Sequence, residues 1–298
     1  MYRTSTISKP TYAQPEFLAI GSMAQPPQLL KWVGNKQRYV SQIIRLIPHG
    51  FKRYIEPFVG SGALLGALSP QSAIAGDVIQ PLIELWKLVQ KDPESLASYY
   101  DKTWRSLKNN RQVTYSKVRD SYNSKPNPYD LLFLSRSCYG GVVRFTKMGK
   151  MSTPIGAHTP IPPDSFEDRL FLWRERISNT KFMHSDFEET MAQAKSGDVV
   201  YCDPPYIHCQ SILYGAQSFD VQRLWKAVMG CISRGAKVIL SIDGSKKSGK
   251  LNLDVGIPSG LFKREIMINC GRSMLRRFQK EGETLEEEVV QDRLVLTW

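Results

Sequence analysis

The sequence has no run of about 18 apolar residues, the length a bilayer-spanning helix requires. Near its start, Lys9, Pro10, Pro15 and Glu16 interrupt any apolar core that a secretory signal would need. A membrane partner is therefore not expected, and residues 1–27 read as an N-terminal extension outside the fold. Histidine is scarce: His49, His158, His184 and His208 show no HExxH or other ligand spacing, so no metal site is expected. The five cysteines (Cys138, Cys202, Cys209, Cys231 and Cys270) are odd in number and form no CxxC pair, which argues against a disulfide framework and a zinc ribbon. A reducing cytoplasm is the expected compartment. Internal repeats and low-complexity tracts are also missing.

Acidic residues are in short supply, 28 against 40 Lys and Arg, for a net charge of +12. The excess is concentrated: Lys102 to Arg176 holds 14 basic and 6 acidic residues, a net +8. A local basic surface attracts a polyanion, most commonly nucleic acid, although a solvated face with no partner would look the same in composition. With 298 residues, 42% of them hydrophobic, the chain can bury a large core without staples.

The pattern along the chain is that of an interrupted α/β unit. A loop around Gly34 leads into a helix with Val40, Ile43, Ile44 and Ile47 at helical spacing, ended by Pro48. A strand from Tyr54 to Phe58, a glycine turn and a helix from Ala63 follow, then a second strand ending at Asp77 and a helix with Pro81 in its first turn. Strand, helix, strand, helix predicts a parallel sheet. Residues from about 90 to 178 are instead polar, basic and mostly helical, and end in "YGGVVRFTKMGKMSTPIG", whose alternation about a Gly-containing bend predicts a β-hairpin. The α/β pattern then resumes with strands at "KFMHSD", "DVVYCD", "KVILSID", "FKREIMIN" and "RLVLTW", and helices at "FEETMAQAK" and "DVQRLWKAVMGCISR".

Two motifs carry chemistry. "EPFVGSG" sets Gly60 and Gly62 between a strand and a helix, where missing β-carbons let a ligand approach the backbone. Alone it is weak, because the third glycine, Gly66, comes one place too late for the dinucleotide fingerprint GxGxxG. Asp77, ending the next strand, could accept hydrogen bonds from a ribose diol; a tight turn and an exposed acid are the plainer alternative. "DPPY" is more telling. Pro204 and Pro205 fix their own φ and extend the residues before them, holding Asp203 and the Pro204 carbonyl in set directions at the carboxyl end of a parallel strand. Such a pair can hold an exocyclic amino group by both hydrogens, localising its lone pair toward an electrophile. Tyr206 can offer a face for the base to stack on.

With "LLKWVGNK", "IEPFVGSG", "HSDF" and "YCDPPY" in order, the chain from about Leu29 onward resembles the Dam-type (D12 class) family of DNA adenine-N6 methyltransferases, which includes restriction-modification enzymes. "SRSCYGGVVRFTKMGKMSTPIG" is similar to that family's recognition hairpin. The resemblance implies a Rossmann-like α/β sheet dependent on S-adenosyl-L-methionine, with an inserted, mainly helical target-recognition domain bearing a β-hairpin. The catalytic domain would be 28–90 and 179–298, and the insertion 91–178. It implies methyl transfer to a flipped adenine in double-stranded DNA, at a GA-containing site. Asp203, Pro204 and Tyr206 would be catalytic. Trp32, Lys36, Glu56, Phe58, Gly60, Gly62, Asp77, Asp186, Phe187 and Asp203 would hold the cofactor. Arg136, Tyr139, Gly140, Val142, Arg144, Lys147 and Pro154 would contact DNA, with Tyr139 as a wedge and Arg144 at a guanine edge. A monomer in a bacterial or phage-infected cytoplasm is implied, with a separate restriction endonuclease as an optional companion. Trp32 read as a core aromatic, and Arg144 read as a phosphate contact, stand as alternatives, as do a catalytically idle DNA-binding module and an amino-methylating enzyme acting on cytosine N4 or RNA.

Three positions depart from the family pattern. Asn35 replaces the second glycine of KWxGGK, Gly140 replaces an asparagine after the hairpin tyrosine, and Ile79 replaces an asparagine two places after Asp77. Cys202 lies inside a buried strand and is expected to pack, not to act as a nucleophile.

Overall fold

The computed structural model describes residues 25–146, 148–205, 219–246, 251–252, 256–272 and 289–298. Its sheet has eight strands: β1 (Tyr54–Glu56), β2 (Ala73–Asp77), β3 (Thr180–His184), β4 (Val199–Cys202), β5 (Lys237–Lys246), β6 (Leu251–Asn252), β7 (Arg264–Arg272) and β8 (Val289–Leu296). The order is β3-β2-β1-β4-β5-β8-β7, with β6 appended to β5. From β3 to β5 every pair is parallel, and β8 runs antiparallel between β5 and β7. This is the Rossmann-like methyltransferase arrangement. The order reverses beside β1, since β2 and β3 lie on one side and β4 on the other; open α/β sheets bind ligands outside the strand ends at such a point.

Alternation along the buried strands builds two cores. Tyr54, Val199, Tyr201 and Ile239 face one cluster, while Ile55, Val200, Cys202, Val238 and Leu240 face the other. The second cluster is closed by α8 (Phe187–Ala192) and α9 (Val221–Ser233). The first takes in α1 (Val40–Ile44), α2 (Ala63–Leu68) and α3 (Gln80–Lys91), and continues without a break into the inserted helices α4 (Pro93–Asn109), α5 (Arg111–Ser124), α6 (Pro128–Ser137) and α7 (Pro163–Arg176). The insertion is therefore anchored in the sheet's own core. Its helices start where the sequence signals them. Asp92, Asn110 and Asn127 accept hydrogen bonds from the backbone N–H of Ser95, Val113 and Asp130, and proline opens α4 and α6.

Two glycines are set by close approach. A β-carbon on Gly66 in α2 would lie 2.5 Å from the Trp173 ring, and one on Gly76 in β2 would lie 2.1 Å from Thr190 Oγ1. The first strand stops at Glu56 and not Phe58, because the chain turns at Pro57. The predicted hairpin is two antiparallel arms joined by isolated bridges, Cys138 with Ile155 and Phe145 with Met151, and not a continuous ladder. A 3-10 turn over Tyr139–Gly141, with Gly140 at φ 64° and Gly141 at φ 67°, interrupts the first arm. No helix among the described residues is long and apolar enough to cross a membrane.

Candidate active site at the switch point

The ends of β1, β2, β3 and β4 and the loop before α1 enclose a cavity of about 530 Å³, within the usual range for small-molecule sites. At the exit of β1, Gly60 (φ 45°) and Gly62 (φ 62°) adopt left-handed backbone that a side chain would strain. A β-carbon on Gly60 would come within 3.2 Å of the Trp32 indole, so the ring lies directly on the turn. The Gly60 carbonyl accepts from Trp86 Nε1 at 3.0 Å. Asp77 completes this corner: Oδ2 accepts from Gly60 N at 3.2 Å and Oδ1 from Ile79 N at 3.0 Å. Burial pushes the Asp77 carboxyl up to about 6 despite these N–H donors. With isoleucine at 79, Asp77 still has the backbone N–H of that position as a partner.

At the end of β3, Asp186 caps α8 by accepting from Glu188 N, and Phe187 stacks on Phe58 with centroids 5.3 Å apart. Phe219 closes against both rings. Arg223 of α9 pairs with Asp186 at 2.9 Å and with Glu188 at 2.7 Å, and its guanidinium lies 5.1 Å from the Phe187 ring centre. At the end of β4, Asp203, Pro204 and Pro205 form the opposite wall. Asp203 Oδ1 is 2.8 Å from the buried Lys36 Nζ. Beside them, Glu56 accepts from Tyr54 OH at 3.0 Å; burial raises its pKa well above the ordinary value, and the neighbouring Asp203 charge adds to that rise.

The loop before α1 makes its left-handed turn at Gly34 (φ 77°), so Asn35 needs no glycine backbone. Asn35 lines the cavity, its Oδ1 accepts from Gln37 N at 2.6 Å, and its buried Nδ2 has no hydrogen-bond partner among the described residues. An orphaned donor, a turn open to backbone approach, a carboxylate placed for a diol and a pair of phenyl rings fit a nucleoside-bearing cofactor.

A family model for the D12 class of N6 adenine-specific DNA methyltransferases matches residues 32–266. The chain belongs to this family. A DNA N-6-adenine-methyltransferase of Escherichia phage P1 is 32% identical over 76% of this chain, the Retron Ec67 DNA adenine methylase of Escherichia coli 35% over 60%, and the Type II methyltransferase M.MjaIII of Methanocaldococcus jannaschii 32% over 81%. The chain spans 31%, 63% and 92% of those proteins' lengths. The solved rRNA methyltransferase aviRa of Streptomyces viridochromogenes overlays 88% of this chain and 84% of its own, at 14% identity and a TM-score of 0.39.

Of the cofactor and catalytic residues that the D12 resemblance implies, Trp32, Lys36, Glu56, Phe58, Gly60, Asp77, Asp186, Phe187, Asp203 and Pro204 all line the one cavity. Gly62 is set back from it, against Trp86 and Trp173. Tyr206 and Lys147 lie outside the described residues. Phe145, Thr146 and Gly149 of the hairpin reach the same cavity. Tyr139 (44% exposed), Gly140, Arg144 and Pro154 are exposed, and Tyr139, Arg144 and Pro154 share a second hollow of about 180 Å³. Gly140 keeps the left-handed backbone that an asparagine also tolerates.

Two of the expected DNA contacts are placed differently. Arg136 is 4% exposed and donates to the Gln28 and Leu29 carbonyls, over the Phe166 ring, so its charge is spent inside the protein. Val142 is 7% exposed and offers a duplex little surface. Sequence reasoning missed Arg223, Tyr39 and Asp292, which hold site residues from distant elements.

Proposed function

We propose that the chain is a site-specific adenine-N6 DNA methyltransferase that moves a methyl group from S-adenosyl-L-methionine to an adenine flipped out of double-stranded DNA. The observation that carries this reading is the placing of Asp203 and Pro204 on the same cavity as Gly60, Asp77 and the Phe58–Phe187 pair. Bound there, the cofactor supplies an electrophilic sulfonium methyl group. Asp77 would accept the ribose hydroxyls, Asn35 Nδ2 would donate to an acceptor of the amino-acid tail, Phe58 and Phe187 would contact the cofactor's adenine ring, and Asp186 would accept from that ring's amino group. Asp203 and the Pro204 carbonyl would accept the two N–H of the target amine, localising its lone pair for direct in-line attack. Tyr206 would stack on the flipped base.

Residues 91–178 would form the target-recognition unit on a catalytic unit of 28–90 and 179–298, the net +8 of its Lys102 to Arg176 stretch gripping phosphates and offsetting the few kcal/mol that extrusion of a base costs. Tyr139 would wedge into the stack and Arg144 would read a guanine edge, giving a GA-containing site. We propose a cytoplasmic monomer in a bacterial or phage-infected cell, with any cognate restriction endonuclease acting separately. Incubation with methyl-labelled S-adenosyl-L-methionine and duplex DNA is expected to label N6 of adenine. Asp203→Ala is expected to abolish transfer while cofactor binding survives in part. Near-normal turnover in that variant would reject the acceptor role.

A further inference from the structure

In this structure one oxygen of Asp203 is already engaged, since Lys36 Nζ lies 2.8 Å from Oδ1. An ammonium drawing on that carboxylate weakens it as the acceptor of the amine N–H that the proposed function assigns to it, so Asp203 accepts better if the ammonium can shift away. Lys36 is 4% exposed, and a buried ammonium left without an anionic partner is costly. A second carboxylate is in place. Asp292 of β8 has Oδ2 3.4 Å from Lys36 Nζ, and that oxygen accepts from Tyr39 OH at 2.7 Å across 253 positions of sequence. The Gly34 carbonyl, 3.3 Å from Nζ, steadies the ammonium from another side. Neither Tyr39 nor Asp292 falls in any of the sequence motifs that mark the cavity.

We propose that Asp292, fixed by Tyr39, is a positioning residue that serves as the second anionic station for Lys36, so that the ammonium withdraws from Asp203 when the target amine arrives. The displacement is short: Nζ need only close 3.4 Å to the about 2.8 Å of a charge-assisted hydrogen bond. No covalent bond forms or breaks and no proton is transferred. Asp292 would act on Asp203 through Lys36, which is what the experiment must resolve.

The inference rests on the proposed function, and the two fail separately. An inactive full-length wild-type chain on adenine-containing duplexes would overturn the function. Given an active wild type, Asp292→Asn is expected to slow single-turnover methyl transfer about 10- to 100-fold, as for residues that orient a metal ligand through one contact. KM for cofactor and DNA should stay within about twofold, the sign of an interaction used after binding. Tyr39→Phe, which keeps the ring and removes only the hydroxyl, should slow transfer about fivefold, as for one lost hydrogen bond. Asp292→Glu should restore part of the rate. In a Lys36→Met background, Asp292→Asn should cost nothing further, because the group through which it acts is gone. Unchanged rates in both Asp292→Asn and Tyr39→Phe, or a full additional loss on top of Lys36→Met, would overturn the proposal.

Discussion

Cofactor binding should depend on the ionisation of Asp77. Burial at the end of β2 pushes its carboxyl up to about 6 from the ordinary 3.8, against the opposing pull of the Ile79 and Gly60 N–H groups. Only the ionised form offers two acceptors to a ribose diol. At about pH 5 roughly one molecule in ten would carry that charge, and at about pH 7.5 nearly all would, so affinity for S-adenosyl-L-methionine should rise about tenfold over the interval. Stability of the unliganded protein should move the opposite way. The folded state holds this proton where the unfolded chain has released it, so stability is lost as pH rises from about 4 to about 6. Isothermal titration of the cofactor across this range, on the wild type and on Asp77→Asn, reads the effect. Asp77→Asn leaves the other carboxyls of the cavity in place, so the difference between the curves isolates Asp77. Parallel curves for the two proteins would refute the argument.

Arg136→Ala should cost about 2–4 kcal/mol of stability in denaturant, because it leaves the Gln28 and Leu29 carbonyls unpaired; unchanged stability with uniformly weaker DNA binding would restore it to the DNA face. Gly76→Ala should cost about 1–3 kcal/mol, since the new methyl meets Thr190 Oγ1, and Gly76→Ala with Thr190→Ala should recover most of it in thermal melts. Arg144→Ala should lose about 1–3 kcal/mol of discrimination at one guanine position; an equal loss on unrelated duplexes would make it a phosphate contact. Glu56→Gln should be at least as stable as wild type near neutral pH, because it keeps the acceptor for Tyr54 OH and removes a buried carboxyl whose charged form is disfavoured; a clear loss would show that the ionised form is the one the fold pairs.

Local chemistry was the legible part of this chain. The strand ending at Asp77, the strand running up to Asp203 and the turn at Gly60 each leave a signal within a few residues, and the structure places them so, whereas the starts of α4 at Pro93 and α6 at Pro128 lie in a stretch read only as mostly helical. Contacts between distant elements leave none. Tyr39 meets Asp292 across 253 positions, and Arg223 comes from a stretch read only as a helix. Arg136 was misread for a related reason. Net charge locates a basic segment but not the direction each side chain faces, and this guanidinium turns inward to pair backbone carbonyls that precede Trp32. The hairpin's alternation was real, yet Gly140 and Gly141 at positive φ break the ladder that alternation alone predicts.

The same comparison bears on why the cavity holds so many acids. Asp203 and Asp292 gather about one ammonium, with Glu56 beside Asp203 and Asp77 on the adjoining wall. Left to stability alone, such a group is unfavourable: burial pushes Glu56 and Asp77 toward their neutral forms, and Lys36 can satisfy only part of the remaining charge. The arrangement is intelligible if a cation completes it. A sulfonium brought to the end of β4 would meet a surplus of acceptors already fixed by backbone N–H groups, a tyrosine hydroxyl and two prolines, so little reorganisation would be needed when it binds. The acids whose burial is costly are, under the proposed function, the ones that its positively charged cofactor and the hydrogens of the target amine would satisfy.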